Sequence, residues 1–558
     1  ERVNRLGENL KETLTIASVE GEEFTAEVIA RLQDAEIFSL IRILSRELEK
    51  RHHLVSAKGI RQLAKQRLSL YLFQHILFQR YLYNSLDAVE RAHLHEQVGT
   101  VLENLYGDET DEISVQLARH FTEAGNAPKA IEYLQKAGQR AVRLSANEEA
   151  IAHYRKALDL LLKHPESPER DLQELALQLA LYIPEGSLRG IGSPDGTRAI
   201  LRAQELCERI GENPQIFAAL VLLSFYYGFG RADYRKALGL QERIARIAEK
   251  TGDPLQQAIC SYTTTWPLLN VGELTKTVDH ARQMNAVYDP AKHSFLAHIF
   301  SFDLGVLNRG LGSWALWFLG YPDQAREDYE KGMADARQFE HPYTLAFAMV
   351  GAVELYWFLR EPENVARYLK ELAAISNEKG FVYWQAHAVF YLGEALVAEG
   401  KIQDGIAEMR RGLDIMLAAG TLTCFSRLLA RMADACMKAG EIDAGLKAVD
   451  EAAEVKCKFD ERYMEAEIDR LKGELLLRKG QDAEAKKLFE RALEVSRAQQ
   501  AKSLELRAAM SMSRLLQEQG KAEDAYRLLE GVYCWFSEGF DTADLKDARA
   551  LLDELKPL

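Results

Sequence analysis

Apolar side chains recur at helical spacing along most of the 558-residue chain, and short turns interrupt them at a fixed interval. Glycines stand in one frame at Gly320, Gly400, Gly440, Gly480 and Gly520. Small residues flank these turns, seven positions before each glycine and five positions after it. A fixed period of about 40 residues is typical of stacked repeat proteins. The pattern therefore predicts an all-α dominated fold whose main part is an α-solenoid.

The small residues predict that each repeat is a pair of helices with a close approach between them. Gly393 and Gly405 show this arrangement on either side of the turn at Gly400, where a left-handed backbone favours glycine. One repeat departs from the rule, with Val353, Arg360 and Val365 at the corresponding positions. We consider two explanations for it: tolerated drift of the sequence, or a local change of pitch that opens a site.

The first part of the chain follows another pattern. Helical spacing marks residues 8–18, 24–33 and 36–51, and a short extended segment and a turn then lead to an alternating stretch at 68–73. Three helices followed by a two-stranded hairpin form the plan of a winged helix. We divide the chain into a winged-helix domain (1–105), a helical connector with the first repeat hairpin (106–165) and the repeat superhelix (166–558).

The helix after the hairpin carries a recognisable motif. Residues 73–86 read F-Q-H-I-L-F-Q-R-Y-L-Y-N-S-L, and residues 90–95 read E-R-A-H-L-H. They resemble the pattern F-R-H-A-L-x-x-x-x-x-Y-x-S-L, then R-x-x-L-H, of bacterial STAND-type signalling ATPases. Gln74 and Arg80 depart from that pattern, and the resemblance spans roughly residues 1–160. The later repeats resemble the tetratricopeptide repeat, lengthened from about 34 residues.

The resemblance implies a regulatory sensor and protein-interaction module of a signal-transduction ATPase. Its repeats would bind a protein, a peptide or a small sugar-like effector, and its winged helix would relay that event to an upstream nucleotide-binding domain in cis. Homo-oligomerisation on activation is also implied. Related proteins are often fused to adenylate/guanylate cyclase, kinase or DNA-binding domains. The alternative is a DNA-binding transcriptional regulator that uses the winged helix and recruits partners with its repeats.

Nucleotide chemistry is expected outside this chain. The sequence holds no G-x-x-x-x-G-K-[ST] loop, so we expect no enzyme activity and no cofactor here, and ATP or ADP only in the absent upstream domain. In related regulated ATPases a winged-helix histidine reaches the bound ADP, and His75 is the candidate by position. The other interpretation is that His75 packs against or caps the helix after the hairpin.

A basic patch stands out in an acidic chain. Residues 41–80 carry nine positive and two negative side chains, a net charge of +7, whereas the whole chain has −14. The patch centres on Lys58, Arg61, Lys65 and Arg67. It would suit DNA phosphates, an acidic partner domain, or simply a solvated face. The acidic balance of the whole chain excludes a general nucleic-acid binder.

The repeat frame also predicts a binding groove. In tetratricopeptide arrays, certain positions of the first helix face the concave surface, and here they give a column of acids beside stacked aromatic side chains. The candidates are Trp314, Trp317, Phe318, Glu354, Trp357, Phe358, Glu394, Asp434 and Glu474. Such a surface suits sugars, cationic peptides or basic protein segments. The alternative is that the aromatic side chains are packing and the acids are solvated.

The remaining features limit the setting. The six cysteines form no C-x-x-C pair and have no matching histidines, which favours reduced thiols without a metal site in a cytoplasmic protein. No apolar run is long enough for a membrane span, and no signal peptide opens the chain. The chain begins at Glu1 and not at a methionine, so we expect it to belong to a longer polypeptide.

Overall fold

The computed structural model describes residues 6–64, 66–190, 192–300, 302–420 and 423–556, and α-helix dominates it. The chain forms two compact units, Glu1–Leu177 and Gln178–Leu558. The boundary falls inside a helix, Pro168–Arg189. The predicted boundary ahead of residue 166 lies just before that helix begins.

The first unit opens with helices and a small antiparallel sheet. In chain order these are α1 (Glu8–Glu20), β1 (Glu23–Thr25), α2 (Ala26–Leu32), α3 (Ile37–Arg42, continued by a π-helical segment, Ile43–Arg51), β2 (Val55–Gln62) and β3 (Arg67–Phe73). The strand order is β1-β3-β2, and β3 is antiparallel to both neighbours. The sequence pattern missed β1 because Phe24 reads as part of a helix, whereas it pairs with Tyr71 in the sheet.

Helices complete the first unit. They are α4 (Ile76–Ser85), α5 (Ala88–Tyr106), a 3-10 segment (Gly107–Ile113), α6 (Ser114–Glu123), α7 (Ala127–Arg143), α8 (Asn147–Leu161) and the start of α9 (Pro168–Arg189). Between α5 and α6 the Nδ1 atoms of two buried histidines, His95 and His120, lie 2.9 Å apart. One ring must donate and the other accept, so the accepting ring is neutral. Burial lowers the pKa of His95 to about 4 and that of His120 well below its usual value.

The second unit is built of paired helices. They are α10 (Pro194–Ile210), α11 (Phe217–Phe225), α12 (Tyr234–Gly239), α13 (Gln241–Thr251), α14 (Pro254–Asn270), α15 (Leu274–Val287), α16 (Pro290–His293), α17 (Leu296–Phe300), α18 (Leu304–Phe318), α19 (Pro322–Gln338), α20 (Pro342–Phe358), α21 (Pro362–Lys379), α22 (Val382–Ala398), α23 (Ile402–Ala418), α24 (Phe425–Lys438), α25 (Ile442–Phe459), α26 (Glu465–Leu477), α27 (Asp482–Ala498), α28 (Lys502–Glu518), α29 (Ala522–Tyr533) and α30 (Ala543–Leu555). A 3-10 turn (Pro214–Ile216) precedes α11, and a π-helical segment (Tyr226–Gly230) follows it.

Left-handed residues mark the helix ends at half the predicted period. From Gly320 to Gly520 they are evenly spaced, alternately at the turn inside a repeat and at the turn between repeats. The residues of this series with positive φ are Gly320, Glu340, Arg360, Gly380, Gly400, Gly420, Gly440, Asp460, Gly480, Gln500 and Gly520, and among the described residues of the range Cys424 has positive φ outside the series. The α-solenoid predicted from the glycine frame is therefore confirmed. The finer period escaped the sequence because Glu, Asp and Gln replace glycine at three of the turns between repeats.

The irregular repeat keeps the same turn. Arg360 adopts a φ of +59° without being glycine, which strains the backbone. Its guanidinium lies 3.1 Å from Asp544 and 2.6 Å from Asp547 of α30. The unusual residue thus provides a contact that glycine would lack, which accounts for Arg360 but not for Val353 or Val365.

The second unit also turns back on itself, because its earlier helices contact helices several repeats later in the chain. The hydroxyl of Tyr234 donates to Glu461 (3.0 Å), and the amide of Arg462 donates to the carbonyl oxygen of Asn270 (2.6 Å). Ser503 donates to the carbonyl oxygen of Trp317 (2.5 Å), and Arg507 donates to that of Phe358 (2.8 Å). The amide of Asp323 donates to Glu538 (3.0 Å). We call these contacts, together with those of Arg360, the return contacts. They enclose the inner face of helices α18, α20, α22, α24, α26 and α28.

Replacing Gly393 by alanine should destabilise the second unit by about 1–3 kcal/mol, through overpacking. A Cβ atom at Gly393 would lie 2.6 Å from the carbonyl oxygen of Gly405 and 2.7 Å from the amide nitrogen of Met409, so α22 and α23 would have to separate. Urea unfolding of the two proteins measures the difference. The control is Gly531→Ala in α29, where no atom lies within 4 Å. That change should stabilise by about 0.5–1 kcal/mol, and equal effects of the two would contradict the tight contact.

Acidification from pH 7 to pH 5 should weaken the packing of α5 on α6. The pKa of His95 is lowered to about 4 in the folded state, so the unfolded chain binds more protons in this range and stability falls as the pH falls. Against an ordinary histidine pKa of about 6.5, the loss at pH 5 is about 2 kcal/mol. Hydrogen exchange of the α5 and α6 amides measures it. His95→Gln should reduce the pH dependence, and an unchanged dependence would exclude His95 as its source.

Candidate functional site

The predicted groove residues do come together, but in an enclosed interior of the second unit. The exposed fraction is 5% for Trp314, 3% for Trp317, 0% for Phe318 and Glu354, and 1% for Phe358. Trp357, Glu394, Asp434 and Glu474 are partly exposed. Helices such as α20 are apolar nearly all round, which is typical of a helix buried on all sides. The return contacts are the reason that these side chains face other helices.

Glu354 lies at the centre of a buried charge cluster. Its Oε2 atom lies 3.3 Å from Nε of Arg427 and 3.1 Å from Nη1 of Arg431, and the hydroxyl of Tyr391 donates to its other oxygen. Arg431 also donates to Glu394. Burial by itself would raise the pKa of Glu354, but the two guanidinium groups hold it below the usual value. We call Glu354, Tyr391, Glu394, Arg427 and Arg431 the inner ion cluster.

Arginines occupy the aromatic surface that the sequence assigned to a ligand. Arg427 lies 4.9 Å from the ring centre of Trp314, and Arg431 lies 4.6 Å from that of Trp357. In the same way, Arg507 of α28 lies 4.9 Å from the ring centre of Trp317 of α18. Guanidinium groups over indole faces are held by cation–π attraction, which is stronger when both are desolvated. The predicted aromatic floor therefore stabilises the chain's own charges.

Phe358 and Phe318 fill the space between these pairs. The ring of Phe358 stacks on Trp317 at a centroid distance of 4.7 Å, and Phe318 meets it edge-on at 5.1 Å. Both phenylalanines are fully enclosed. Their contacts are those of core packing.

The two acids of the predicted column nearest the C-terminus, Asp434 and Glu474, also have partners. Asp434 pairs with Lys438 at 2.6 Å on the same helix, and Glu474 accepts a hydrogen bond of 2.5 Å from Ser511. Glu354, Glu394 and Glu474 each contact the residue 37 positions later, one repeat on and one helical turn back. The acid column is thus a ladder that links successive repeats.

Sequence reasoning missed the arginines that complete the cluster. Arg427 stands seven positions before Asp434, two helical turns earlier on the same face of α24. Polar residues recur at this position in the neighbouring repeats: His387, Arg427, Glu467 and Arg507. That recurrence from one repeat to the next was the available signal for a polar interior.

His75 caps a helix in the first unit. Its Nδ1 atom accepts a hydrogen bond of 3.2 Å from the amide of Leu77 at the start of α4, and the residue is exposed. This is the capping role considered from the sequence. The nucleotide-sensing role stays a prediction.

The basic patch is partly neutralised within the first unit. Lys58 donates to Glu23, and Arg61 lies 3.9 Å from the same carboxylate and donates to the hydroxyl of Tyr106 at 2.9 Å. Arg67 donates to Gln62 at 3.1 Å. Lys65 lies outside the described residues. Binding of DNA phosphates by this patch would compete with these internal partners.

No group of three or more histidine, cysteine or carboxylate side chains among the described residues has an arrangement suited to a metal ion. Within the same residues, every helix is too short or too polar to cross a lipid bilayer.

No family model matches the chain. It is 24% identical over 454 residues to an uncharacterized protein of Rhizobium meliloti (strain 1021), a match that covers 80% of this chain and 43% of that relative. The chain thus spans less than half the length of the curated relative that it matches.

Three solved structures are similar in part. The Rap protein complexed with competence and sporulation factor has 13% identity and a TM-score of 0.48, over 66% of this chain and 98% of that one. A STAND protein with a tetratricopeptide repeat sensor from Pyrococcus horikoshii has 11% identity and a TM-score of 0.34, over 99% of this chain and 66% of that one. The APC/C hetero-tetramer Cut9–Hcn1 has 11% identity and a TM-score of 0.46, over 95% of this chain and 98% of that one. All three TM-scores are below 0.5, so the α-solenoid fold follows from the helix pairs of this chain and not from these likenesses.

Replacing Glu354 by glutamine should destabilise the second unit by about 3–5 kcal/mol, because Arg427 and Arg431 would remain buried with less opposing charge. Thermal and urea unfolding measure the loss. The control is Glu399→Gln, an exposed carboxylate paired with exposed Lys401, which should change stability by less than about 0.5 kcal/mol. Similar small effects of both changes would mean that the interior does not need the charge of Glu354.

Proposed function

We propose that this chain is the sensor and interaction part of a STAND-type signalling ATPase. The repeats of the second unit bind the effector, which is a protein, a peptide or a small molecule. The first unit relays that event to a nucleotide-binding domain in the same polypeptide, and ATP or ADP binds there. The chain itself acts by binding and not by catalysis.

The first unit supports the relay part of the proposal. Its helices and its sheet of order β1-β3-β2 fit the plan of a winged helix. The motif that resembles the signalling ATPases lies on α4 and α5, directly after β3. His75, at the start of α4, is exposed on that segment. An exposed histidine at this point is available to a neighbouring domain.

The return contacts carry the sensor part of the proposal. A sensor needs an element with two arrangements that the effector stabilises differently. In the second unit, contacts such as Arg360 with Asp547 and Tyr234 with Glu461 join helices that are far apart in the chain. Breaking these contacts would expose the inner face of the repeats without unfolding any helix pair. We infer that the enclosed array is the resting state and that an effector favours a more open one.

Arg360→Ala in the natural full-length protein should raise ATP hydrolysis in the absence of effector. The ion pairs of Arg360 are partly exposed and join residues that are far apart in the chain, so their loss should favour the open array. We expect an increase of up to about fivefold, the equivalent of a surface ion pair worth about 1 kcal/mol. A coupled phosphate-release assay measures the rate.

The matched control is Arg411→Ala, because Arg411 is also exposed but pairs with Glu408 on its own helix. It should leave the rate unchanged. The sequence ahead of Glu1 in the natural protein should hold a phosphate-binding loop and a Walker B acid. If that protein has neither and binds no ATP, the proposed function is wrong.

A further inference from the structure

A small cavity lies in the second unit beside the inner ion cluster. Its volume is about 30 Å³, room for about two water-sized groups. Aromatic side chains from α14, α20, α22 and the segments next to them form most of its wall, among them Phe229, Trp266, Phe302, Phe347 and Trp384. Arg427 of the inner ion cluster closes one side. The cavity is therefore an apolar chamber with a charged wall.

Among the described residues, three hydrogen-bond donors on side chains that line this cavity have no acceptor. They are Nη1 of Arg427 and the indole nitrogens of Trp266 and Trp384. All three side chains are nearly inaccessible, with exposed fractions of 1%, 4% and 2%. Buried polar groups in folded proteins are nearly always hydrogen-bonded, so three unpartnered donors at one cavity point to a missing acceptor.

The charged side chain in the cavity wall is the cation Arg427, and an anionic acceptor would suit both this charge and the three donors. Arg427 has one carboxylate within ion-pair distance, Glu354, and shares it with Arg431. Arg431 has a second carboxylate, Glu394, on its other side. Arg427 therefore has fewer carboxylates within ion-pair distance than Arg431. An anion in the cavity would complete its environment.

We propose that this cavity, once enlarged by rotation of Phe347, binds a small monocarboxylate with a short apolar body. The two carboxylate oxygens offer about four acceptor positions, enough for Arg427 and both indoles. The apolar body would contact Phe302 and Phe347. The inference rests on the proposed sensor function and names a ligand class that would stabilise the enclosed array, which is the resting state in that proposal.

Phe347 marks the entrance. It is partly exposed, whereas Phe229, Trp266, Phe302, Trp384 and Arg427 are buried. Its ring contacts Trp384 at a centroid distance of 5.0 Å and Phe302 at 6.0 Å. Rotation of this one side chain would widen the chamber and connect it to solvent.

The experiment is a titration of the whole chain with acetate, propionate and butyrate, followed by tryptophan fluorescence and isothermal calorimetry. The neutral and cationic counterparts of propionate, 1-propanol and propylammonium, test for the charge, and glucose tests for a sugar. We expect saturable binding of the carboxylates and none of the other compounds. No saturable carboxylate binding, or binding of glucose instead, would overturn the proposal.

Variants locate the site. Trp384→Phe and Trp266→Phe keep an aromatic ring but remove one donor, and each should weaken propionate binding about tenfold, as expected for a hydrogen bond to a charged acceptor. Arg427→Lys keeps the charge beside Glu354 and should weaken binding further. The control is Trp535→Phe, an exposed tryptophan elsewhere in the second unit, which should bind propionate as the original chain does. Equal affinity in all four variants would place any binding outside this cavity.

The test separates this inference from the proposed function. If propionate fails to bind while the full-length protein hydrolyses ATP and responds to Arg360→Ala, the carboxylate site is wrong and the sensor function stands. If propionate binds with the expected variant pattern but the natural protein binds no ATP, the site stands and the signalling role is wrong.

Discussion

A buried carboxylate needs opposing charge, and the interior of the second unit is arranged around that need at Glu354. Two arginines of α24, two helix pairs later in the chain, reach its carboxylate, and both rest on tryptophan faces. A buried ion pair is no strong source of stability compared with apolar packing, but losing one partner is costly. The cluster therefore fixes which helices face each other more than it adds to overall stability.

This constraint changes what a repeat array does with its concave face. Polar and aromatic side chains on the inner helices are usually available to a ligand when the array is open. Here the return contacts bring later helices against earlier ones, and the chain's own arginines take the aromatic positions. Access of a ligand to this face would require small residual spaces or opening of the array. Opening requires only that the return contacts break while each helix pair stays intact.

The repeat fold was predictable because it depends on local and neighbouring contacts. The glycines of the repeat frame and the small residues beside them specify a left-handed turn and a close approach, as at Gly393 and Gly405. The candidate groove residues lie on the inner helices, where they are packing and ion-pair partners. Their enclosure was not predictable, because no local pattern records that Arg427 will meet Glu354. The strand β1 was missed because Phe24 fits a helical pattern locally, and because α2, α3 and β2 separate β1 from its partner β3 in the chain.

The sequence by itself determined the helix pairs, their period, the inner face and the acids on it, because these follow from spacing along one chain segment. Only the tertiary structure decided that Arg360 would hold a turn and bind α30, that three arginines would cover the tryptophans, and that a cavity with unpartnered donors would remain among them. Such contacts join residues one to five repeats apart. Their pairing depends on the curvature that accumulates over the intervening repeats, which no single repeat encodes.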